Sequence, residues 1–404
     1  MSLSLLAHLS LVRLGASRAP LARLRLACSA LSLRISGVSS AGLDFGPGVS
    51  ELSSLQSADD ASLLENTRAR FEAGHIYSRC GRLLLAVNPY RQLPSLYSEA
   101  MLQEYKMSLQ PQAELAPHVY AVASAAHMGM LQNNKSQSVI ISGESGSGKT
   151  ESAKILLRYL AEVSTSSESD LHKRVLQTNP IMESFGCAKT LWNNNSSRFG
   201  KFLTLQFNST GRMQGAFMKT YLLEKSRITS QMAGEHNYHV FYTVARGLPS
   251  DKKKAWGVRS PEEYSYLNIA QGEKIDWDEF PCDYPALVTA MESIPALEKS
   301  MMDCWKVLVA VLHLGDATLK GSGEDDDAEF TSEGRVHAQH AAKLLGCEEA
   351  QLTKAICTLN IKAGLDWISK PNTRGEAQSV KDALAKALYS KLFEFVVESI
   401  NTGE

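Results

Sequence analysis

A glycine-rich segment limits the folds open to this chain more than any other feature. Residues 143–150 read Gly-Glu-Ser-Gly-Ser-Gly-Lys-Thr, which matches the phosphate-loop pattern G-x-x-x-x-G-K-[ST] at every fixed position. The preceding apolar run Ser138–Ser142 predicts a buried strand, and the pattern of Glu151–Val163 predicts a helix. Strand, loop and helix follow in the order that this motif requires.

Each residue type in the segment suits phosphate chemistry. Glycines let the backbone wrap closely and point several N–H groups at one anion. The Lys149 ammonium would reach the phosphates as a point charge, and the Thr150 hydroxyl is placed for Mg²⁺. The N-terminus of the following helix adds about half a positive charge. The motif thus predicts phosphate binding, but kinases, GTPases and ATPases all share it.

The rest of the chain predicts an α/β fold. Further strands are predicted at Leu83–Val87, Phe202–Phe207 and Ala216–Leu222, the last two joined by a turn at Asn208–Gly211. Helices are predicted at 59–73, 114–132, 301–314 and 378–400. We expect a P-loop fold with a central, mostly parallel sheet flanked by helices. The nucleotide-binding core would span about 48–245, and a helical upper subdomain about 246–404.

Composition excludes several classes of partner. A net charge of −1 gives no global field toward nucleic acid or anionic lipid. The seven cysteines form no CxxC, and no Cys/His spacing suggests zinc. No apolar run is long enough for a transmembrane segment.

The N-terminal extension, residues 1–47, has an unusual composition. Its first 43 residues contain no Asp or Glu but carry five arginines, at positions 13, 18, 23, 25 and 34. This composition is typical of a transit peptide for the mitochondrion or another organelle. The alternatives are a disordered tail, or a start site extended into sequence that is not normally translated.

A second polar segment, Asn193–Lys201, reads NNNSSRFGK. It offers hydroxyls at Ser196 and Ser197, amides around Asn193 and one cation at Arg198. A second loop facing a nucleotide needs such groups, to complete Mg²⁺ coordination and to contact the γ-phosphate. The alternative is a polar turn between two strands.

These segments together resemble the head of the myosin family. NNNSSRFGK is similar to the myosin switch I loop, and GESGSGKT resembles the myosin phosphate loop with Ser147 where Ala is usual. Six more segments resemble myosin head segments, in the family's order over roughly residues 48–404: VNPYRQLPSLY (87–97), NPIMESFGCAKT (179–190), YLLEKSRI (221–228), GEHNYHVFY (234–242), VLHLG (311–315) and DALAKALYSKLFEF (382–395).

The resemblance implies site residues for ATP and Mg²⁺. The residues implied to border the adenine are Asn88, Pro89, Tyr90 and Tyr97. Those implied to wrap the phosphates are Gly143, Glu144, Ser145, Gly146, Ser147, Gly148, Lys149, Thr150 and Glu151. Thr150 and Ser197 would ligate Mg²⁺. Asn193 and Ser196 would contact the γ-phosphate and position the attacking water, with Lys149 and Arg198 as the catalytic cations.

Arg198 limits what the resemblance implies about hydrolysis. In myosins this arginine pairs with a glutamate of switch II, in a D-x-x-G-F-E segment that the 404 residues do not contain. We therefore expect Arg198 to lack an acidic partner and to stay solvated. The chain is interpreted as the N-terminal part of a motor head, truncated before switch II, and whether it is an active ATPase stays open.

The family also implies partners and a location. Actin filaments would contact the surface loop Asn360–Val380, where Asp366 occupies the family's acidic or phosphorylatable position. Light chains are not expected on these residues, and the implied location is the cytoplasm and actin cytoskeleton. The alternatives are a nucleotide-binding fragment or incomplete gene model without motor activity, and an unrelated P-loop kinase or GTPase. The absence of N-K-x-D argues against a GTPase.

Overall fold

The computed structural model describes residues 2–6, 47–164, 171–267, 275–278, 280–321, 327–363 and 366–402. It divides into two compact units. The first comprises Met1–Leu176 and Lys201–Lys219, and the second comprises Gln177–Gly200 and Thr220–Gly403. The domain boundary expected near residue 245 stays a prediction, and the transit-peptide question falls mostly on residues outside the described ranges.

The first unit holds two small sheets. Its strands are β1 (Ser2–Leu6), β2 (Tyr77–Cys80), β3 (Leu83–Ala86), β4 (Gln137–Ile140) and β7 (Gly200–Phe207), with most of β8 (Met213–Tyr221). One sheet has the order β4-β1-β7-β8, and β2 pairs with β3. β1 runs parallel to β4, with Leu3 opposite Gln137, and antiparallel to β7, with Leu3 opposite Leu205. The fold is thus a mixture of helices and small sheets.

The helices of the first unit are α1 (Asp60–Glu72), α2 (Glu99–Met107), α3 (Pro111–Glu114), α4 (Val119–Asn133) and α5 (Lys149–Ser164). α1 begins as predicted, because the Asp59 side chain accepts a hydrogen bond from the Ser62 N–H at 2.9 Å. The helix predicted to start at 114 was wrong by about one turn. His118 caps α4, with its Nδ1 accepting from the Tyr120 N–H at 3.0 Å.

The strand before the phosphate loop is less buried than its apolar sequence predicted. Val139 is buried in β4, but Ile140 is 51% exposed. Ile140 lines an open cavity of about 610 Å³ together with Leu83 of β3 and the small residues Ala125, Ala126 and Gly129 of α4. The buried strand predicted at Ser138–Ser142 is therefore only partly buried, since Val139 and Ile141 are buried but Ile140 is exposed.

The second unit is mainly helical. Its first elements are most of α6 (Leu171–Gly186), β5 (Cys187–Thr190) and β6 (Asn193–Ser197), which pairs antiparallel with β5. The later elements are α7 (His239–Gly247), α8 (Ser250–Trp256), α9 (Tyr284–Glu292), α10 (Pro295–Asp316), β9 (Leu319–Lys320), β10 (Glu329–Phe330), α11 (Ser332–Leu345), α12 (Glu349–Cys357), β11 (Thr358–Ala363), β12 (Asp366–Pro371) and α13 (Arg374–Thr402).

Buried aromatic side chains hold the second unit together. Trp305 of α10 is fully buried and stacks on Phe185 of α6, with ring centroids 6.3 Å apart. Tyr389 of α13 is also fully buried and donates to the Phe185 carbonyl at 2.6 Å. Burying such rings is the main source of packing energy in a core of this kind.

The loop predicted at Asn360–Val380 was wrong. Thr358–Ala363 and Asp366–Pro371 form the antiparallel pair β11–β12, in which Asp366 lies opposite Ala363. The helix α13 then begins at Arg374, four residues before the predicted start at 378. Over the described ranges, none of the helices combines the length and apolarity needed to span a membrane.

Candidate functional site

The phosphate loop lies between β4 and α5 in the first unit, in the predicted order. Gly146 and Gly148 adopt φ values of +77° and +93°. A side chain at either position would be strained, so the loop depends on glycine there. α5 begins at Lys149, and the Ser152 N–H donates to the Gly148 carbonyl at 2.9 Å. The N-terminal turn of α5 therefore follows the loop directly.

Lys149 folds back over its own loop. Its Nζ donates to the carbonyl oxygens of Gly143 and Glu144, at 2.7 and 2.8 Å. Burial lowers the pKa of Lys149, against an opposing contribution from Glu144. A phosphate would give this partly desolvated ammonium a stronger partner than two neutral carbonyls, because hydrogen bonds between charged groups are about twice as strong.

Ser147, the residue that departs from the family's usual alanine, is buried at 2% exposure. Within the described chain its Oγ has no hydrogen-bond partner. By contrast, Glu144, Ser145 and Thr150 are exposed around the loop. Glu151 is also exposed, and its carboxylate pairs with Lys154 at 2.9 Å.

Asn88 clamps the phosphate loop. Its Nδ2 donates to the Gly146 carbonyl at 2.7 Å, and its Oδ1 accepts from the Tyr90 N–H at 2.9 Å. Tyr90 has a φ of +49° and is 63% exposed, and Pro89 is half-buried beside it. The Asn88 amide therefore supports the loop backbone in this structure, a contact that the sequence did not predict.

Tyr97 belongs to an aromatic cluster. Its hydroxyl lies 2.8 Å from the Tyr77 hydroxyl, and its carbonyl accepts from Arg158 Nη1 at 3.0 Å. His118 lies at the centre of the cluster, with its ring 5.6 Å from Tyr97 and 5.0 Å from Tyr77. Burial lowers the pKa of His118 to about 3, so the ring is neutral. The only signal for His118 in the sequence is its place directly before α4.

Residues 193–200 of the segment resembling switch I belong to the second unit. Residues 193–197 form the strand β6, so the expectation of a loop was wrong there. Asn193 Oδ1 accepts from the Asn195 N–H at 2.9 Å, and Asn193 Nδ2 donates to the Asn195 carbonyl at 3.2 Å. Asn195 in turn donates to Glu183 Oε2 at 3.2 Å. The two hydroxyls differ, because Ser196 is buried and Ser197 is exposed.

Arg198 is paired, contrary to expectation. Its Nε donates to Glu224 Oε2 at 2.7 Å, and Arg227 Nε donates to the same oxygen at 2.7 Å. Arg227 also binds Glu235 Oε2 at 2.7 Å. Burial alone would raise the pKa of Glu224, but the hydrogen bonds from the two arginines outweigh burial and lower it. We call Arg198, Glu224, Arg227 and Glu235 the arginine network.

A glycine-rich loop between a strand and a helix, with a lysine and a hydroxyl at its end, defines a P-loop protein. The family model for the myosin head (motor domain) matches residues 49–403. The chain therefore belongs to the myosin head family.

Plant myosins are among the curated relatives. The chain is 39% identical over 358 residues to Myosin-14 of Arabidopsis thaliana, covering 88% of this chain and 23% of that relative. It is 38% identical over 359 residues to Myosin-13 of the same plant, covering 88% and 24%. The chain thus spans about a quarter of the length of these relatives.

Proposed function

We propose that this chain binds Mg²⁺-ATP as the nucleotide-binding part of an actin-based motor. The phosphate loop carries the proposal, because its glycines adopt left-handed conformations and its lysine is held over the loop by two neutral carbonyls. The triphosphate would take the Lys149 ammonium from those carbonyls and would receive the N–H groups at the start of α5. Asn88, Pro89, Tyr90 and Tyr97 would border the adenine.

The residues proposed for Mg²⁺ fit its chemistry. Thr150 and Ser197 are both exposed residues with hydroxyl side chains, and oxygen is the ligand type that Mg²⁺ prefers. When bound, the ion would neutralise charge on the β- and γ-phosphates. Asn193 and Ser196 would contact the γ-phosphate and orient the attacking water, so catalysis would come mainly from positioning.

Motor function is part of the same proposal. Actin filaments would contact the β11–β12 pair around Asp366, and the protein would work in the cytoplasm on the actin cytoskeleton. The small sheets would belong to a larger, mostly parallel central sheet. Because Arg198 already forms an ion pair with Glu224, we expect the 404-residue chain to bind ATP with little actin-stimulated turnover.

Substitution of Lys149 tests the proposal. We expect Lys149→Ala to abolish binding of a fluorescent ATP analogue in the presence of Mg²⁺, because the main phosphate cation is lost. The matched control is Lys154→Ala, which removes a lysine of the same helix that pairs with Glu151 at 2.9 Å. Unchanged affinity in Lys149→Ala, or an equal loss in both variants, would refute the assignment. Phosphate release with and without actin filaments tests the motor part separately, and strong stimulation by actin would contradict our expectation of low turnover.

A further inference from the structure

The hydroxyl of Ser147 is a feature of the phosphate loop that the proposed function does not use. The residue is only 2% exposed, and among the residues that the structure describes its Oγ has no hydrogen-bond partner. A buried hydroxyl of this kind costs free energy, because it has lost its hydrogen bonds to water and gained none in the protein. Such a group in a folded protein therefore calls for a physical reason.

The Glu144 carbonyl explains why the Ser147 hydroxyl has no partner. This oxygen accepts from the Ser147 N–H at 3.2 Å and from Lys149 Nζ at 2.8 Å. A carbonyl oxygen has two lone pairs, and these two donors use both of them. Glu144 lies three residues before Ser147, a spacing at which serine hydroxyls commonly bond to the backbone. The lysine thus holds the place on this oxygen that the hydroxyl would take.

Phosphate would release that place. The Lys149 ammonium is held by two neutral carbonyls, and an anionic oxygen is the stronger partner. Once the ammonium turns to phosphate, the Glu144 carbonyl has a free lone pair. Ser147 is too deeply buried to donate to water instead. The existing hydrogen bond from the Ser147 N–H already keeps this carbonyl close to the residue.

We propose that Ser147 and Lys149 exchange as donors to the Glu144 carbonyl when the loop binds a triphosphate. The exchange rests on the proposed binding of Mg²⁺-ATP. In the conformation described above, the lysine donates to this oxygen. With the triphosphate bound, the lysine donates to phosphate and Ser147 Oγ donates to the carbonyl. Ser147 is therefore a positioning residue, because its hydroxyl stabilises the nucleotide-bound loop without touching the nucleotide.

Ser147→Ala in the complete chain tests the exchange, because it removes the hydroxyl and keeps the backbone N–H. We expect the affinity for a fluorescent ATP analogue with Mg²⁺ to fall about fivefold, since the lost hydrogen bond forms only with the nucleotide. Without nucleotide, the urea midpoint of unfolding should rise, because a buried hydroxyl without a partner is removed. Ser164→Ala is the matched control. It removes a buried hydroxyl at the other end of α5 that donates to the Ala161 carbonyl at 3.2 Å, so the urea midpoint should fall and the affinity should not change.

Lys149→Met separates the exchange from nucleotide binding. Methionine leaves the Glu144 carbonyl without its ammonium donor, so the Ser147 hydroxyl should bond there even without nucleotide. Adding Ser147→Ala to this variant should then lower the urea midpoint, the reverse of its effect beside Lys149. An affinity that Ser147→Ala leaves unchanged, or a urea effect of the same sign in both backgrounds, would overturn the exchange but not Mg²⁺-ATP binding. If the unmodified chain binds no ATP analogue while the sign reverses, the proposed function is wrong and the competition for the carbonyl stands.

Discussion

Glu224 is expected to stabilise the second unit through both of its arginines. Its Oε2 accepts two charge-assisted hydrogen bonds, each 2.7 Å long, from Arg198 and Arg227. Bonds of this kind contribute about 1.5–3 kcal/mol each. The Glu224 side chain is 33% exposed, so solvent screening reduces the gain. A glutamine would keep one acceptor but lose the charge, and we therefore expect Glu224→Gln to destabilise the second unit by about 2 kcal/mol.

Arg198 and Arg227 do not lose the same share of their hydrogen bonds in Glu224→Gln. Arg227, at 4% side-chain exposure, keeps Glu235 at 2.7 Å and the His236 carbonyl at 2.9 Å. Arg198, at 26% side-chain exposure, keeps a 3.4 Å contact from its Nη1 to Ser196 Oγ, and the described chain offers its guanidinium no second carboxylate. Most of the loss should therefore fall on the Arg198–Glu224 pair, and a double-mutant cycle with Arg198→Met should give a coupling energy of about 1–2 kcal/mol.

Urea unfolding followed by tryptophan fluorescence measures this effect, since Trp305 is buried in the second unit. Glu329→Gln is the matched control. Glu329 pairs with Lys320 at 3.1 Å, but both side chains are more than 60% exposed, so we expect a change below about 0.5 kcal/mol. The reasoning fails if Glu224→Gln is no more destabilising than this control. Because the pKa of Glu224 is lowered in the native state, its contribution should be present above its unfolded pKa and disappear as the pH falls.

Three further outcomes are expected. Burial lowers the pKa of His313 from 6.5 to about 4, so the free energy of unfolding falls as the pH drops below 6.5. About 1.4 kcal/mol of this free energy should be lost at pH 5.5, and urea unfolding of His313→Gln should lack this part of the pH dependence. Asn88→Ala removes the 2.7 Å hydrogen bond to the phosphate loop, and affinity for a fluorescent ATP analogue should fall by roughly fivefold, or about 1 kcal/mol. An unchanged affinity would refute the proposed support of the loop by Asn88. Gly315→Ala places a Cβ 2.7 Å from Tyr266 Cγ and should lower the free energy of unfolding by about 1–3 kcal/mol, whereas Gly375→Ala, with open space around it, should not lower it.

Local signals in the sequence predicted local structure well. Asp59 marked the start of α1, and the glycine pattern located the phosphate loop between a strand and a helix. The turn at Asn208 was also found, because Asn208 Oδ1 accepts from the Thr210 and Arg212 N–H groups within four residues. In each case the groups that determine the conformation lie next to one another in the chain.

The sequence failed where distant residues determine the outcome. The carboxylate that pairs with Arg198 lies 26 positions away, and no pattern marks Glu224 as its partner. The Asn88 clamp on Gly146 spans 58 positions. Residues 193–197 were expected to form a loop, because polar residues indicate exposure, but β5 offers them a pairing edge. Tertiary contacts of this kind override local propensity.

The position of β1 has a consequence for folding during synthesis. Leu3 is synthesised before both of its partners, Gln137 and Leu205, which are added more than a hundred residues later. At about 10 residues per second, the first partner follows on the order of ten seconds after β1, and the second several seconds after that. β4 and β7 belong to one continuous sheet only when β1 pairs between them, so this sheet is completed late in synthesis. Until then, the exposed edges of β4 and β7 are available for incorrect pairing, and a chaperone that holds extended segments would have its clearest substrate here.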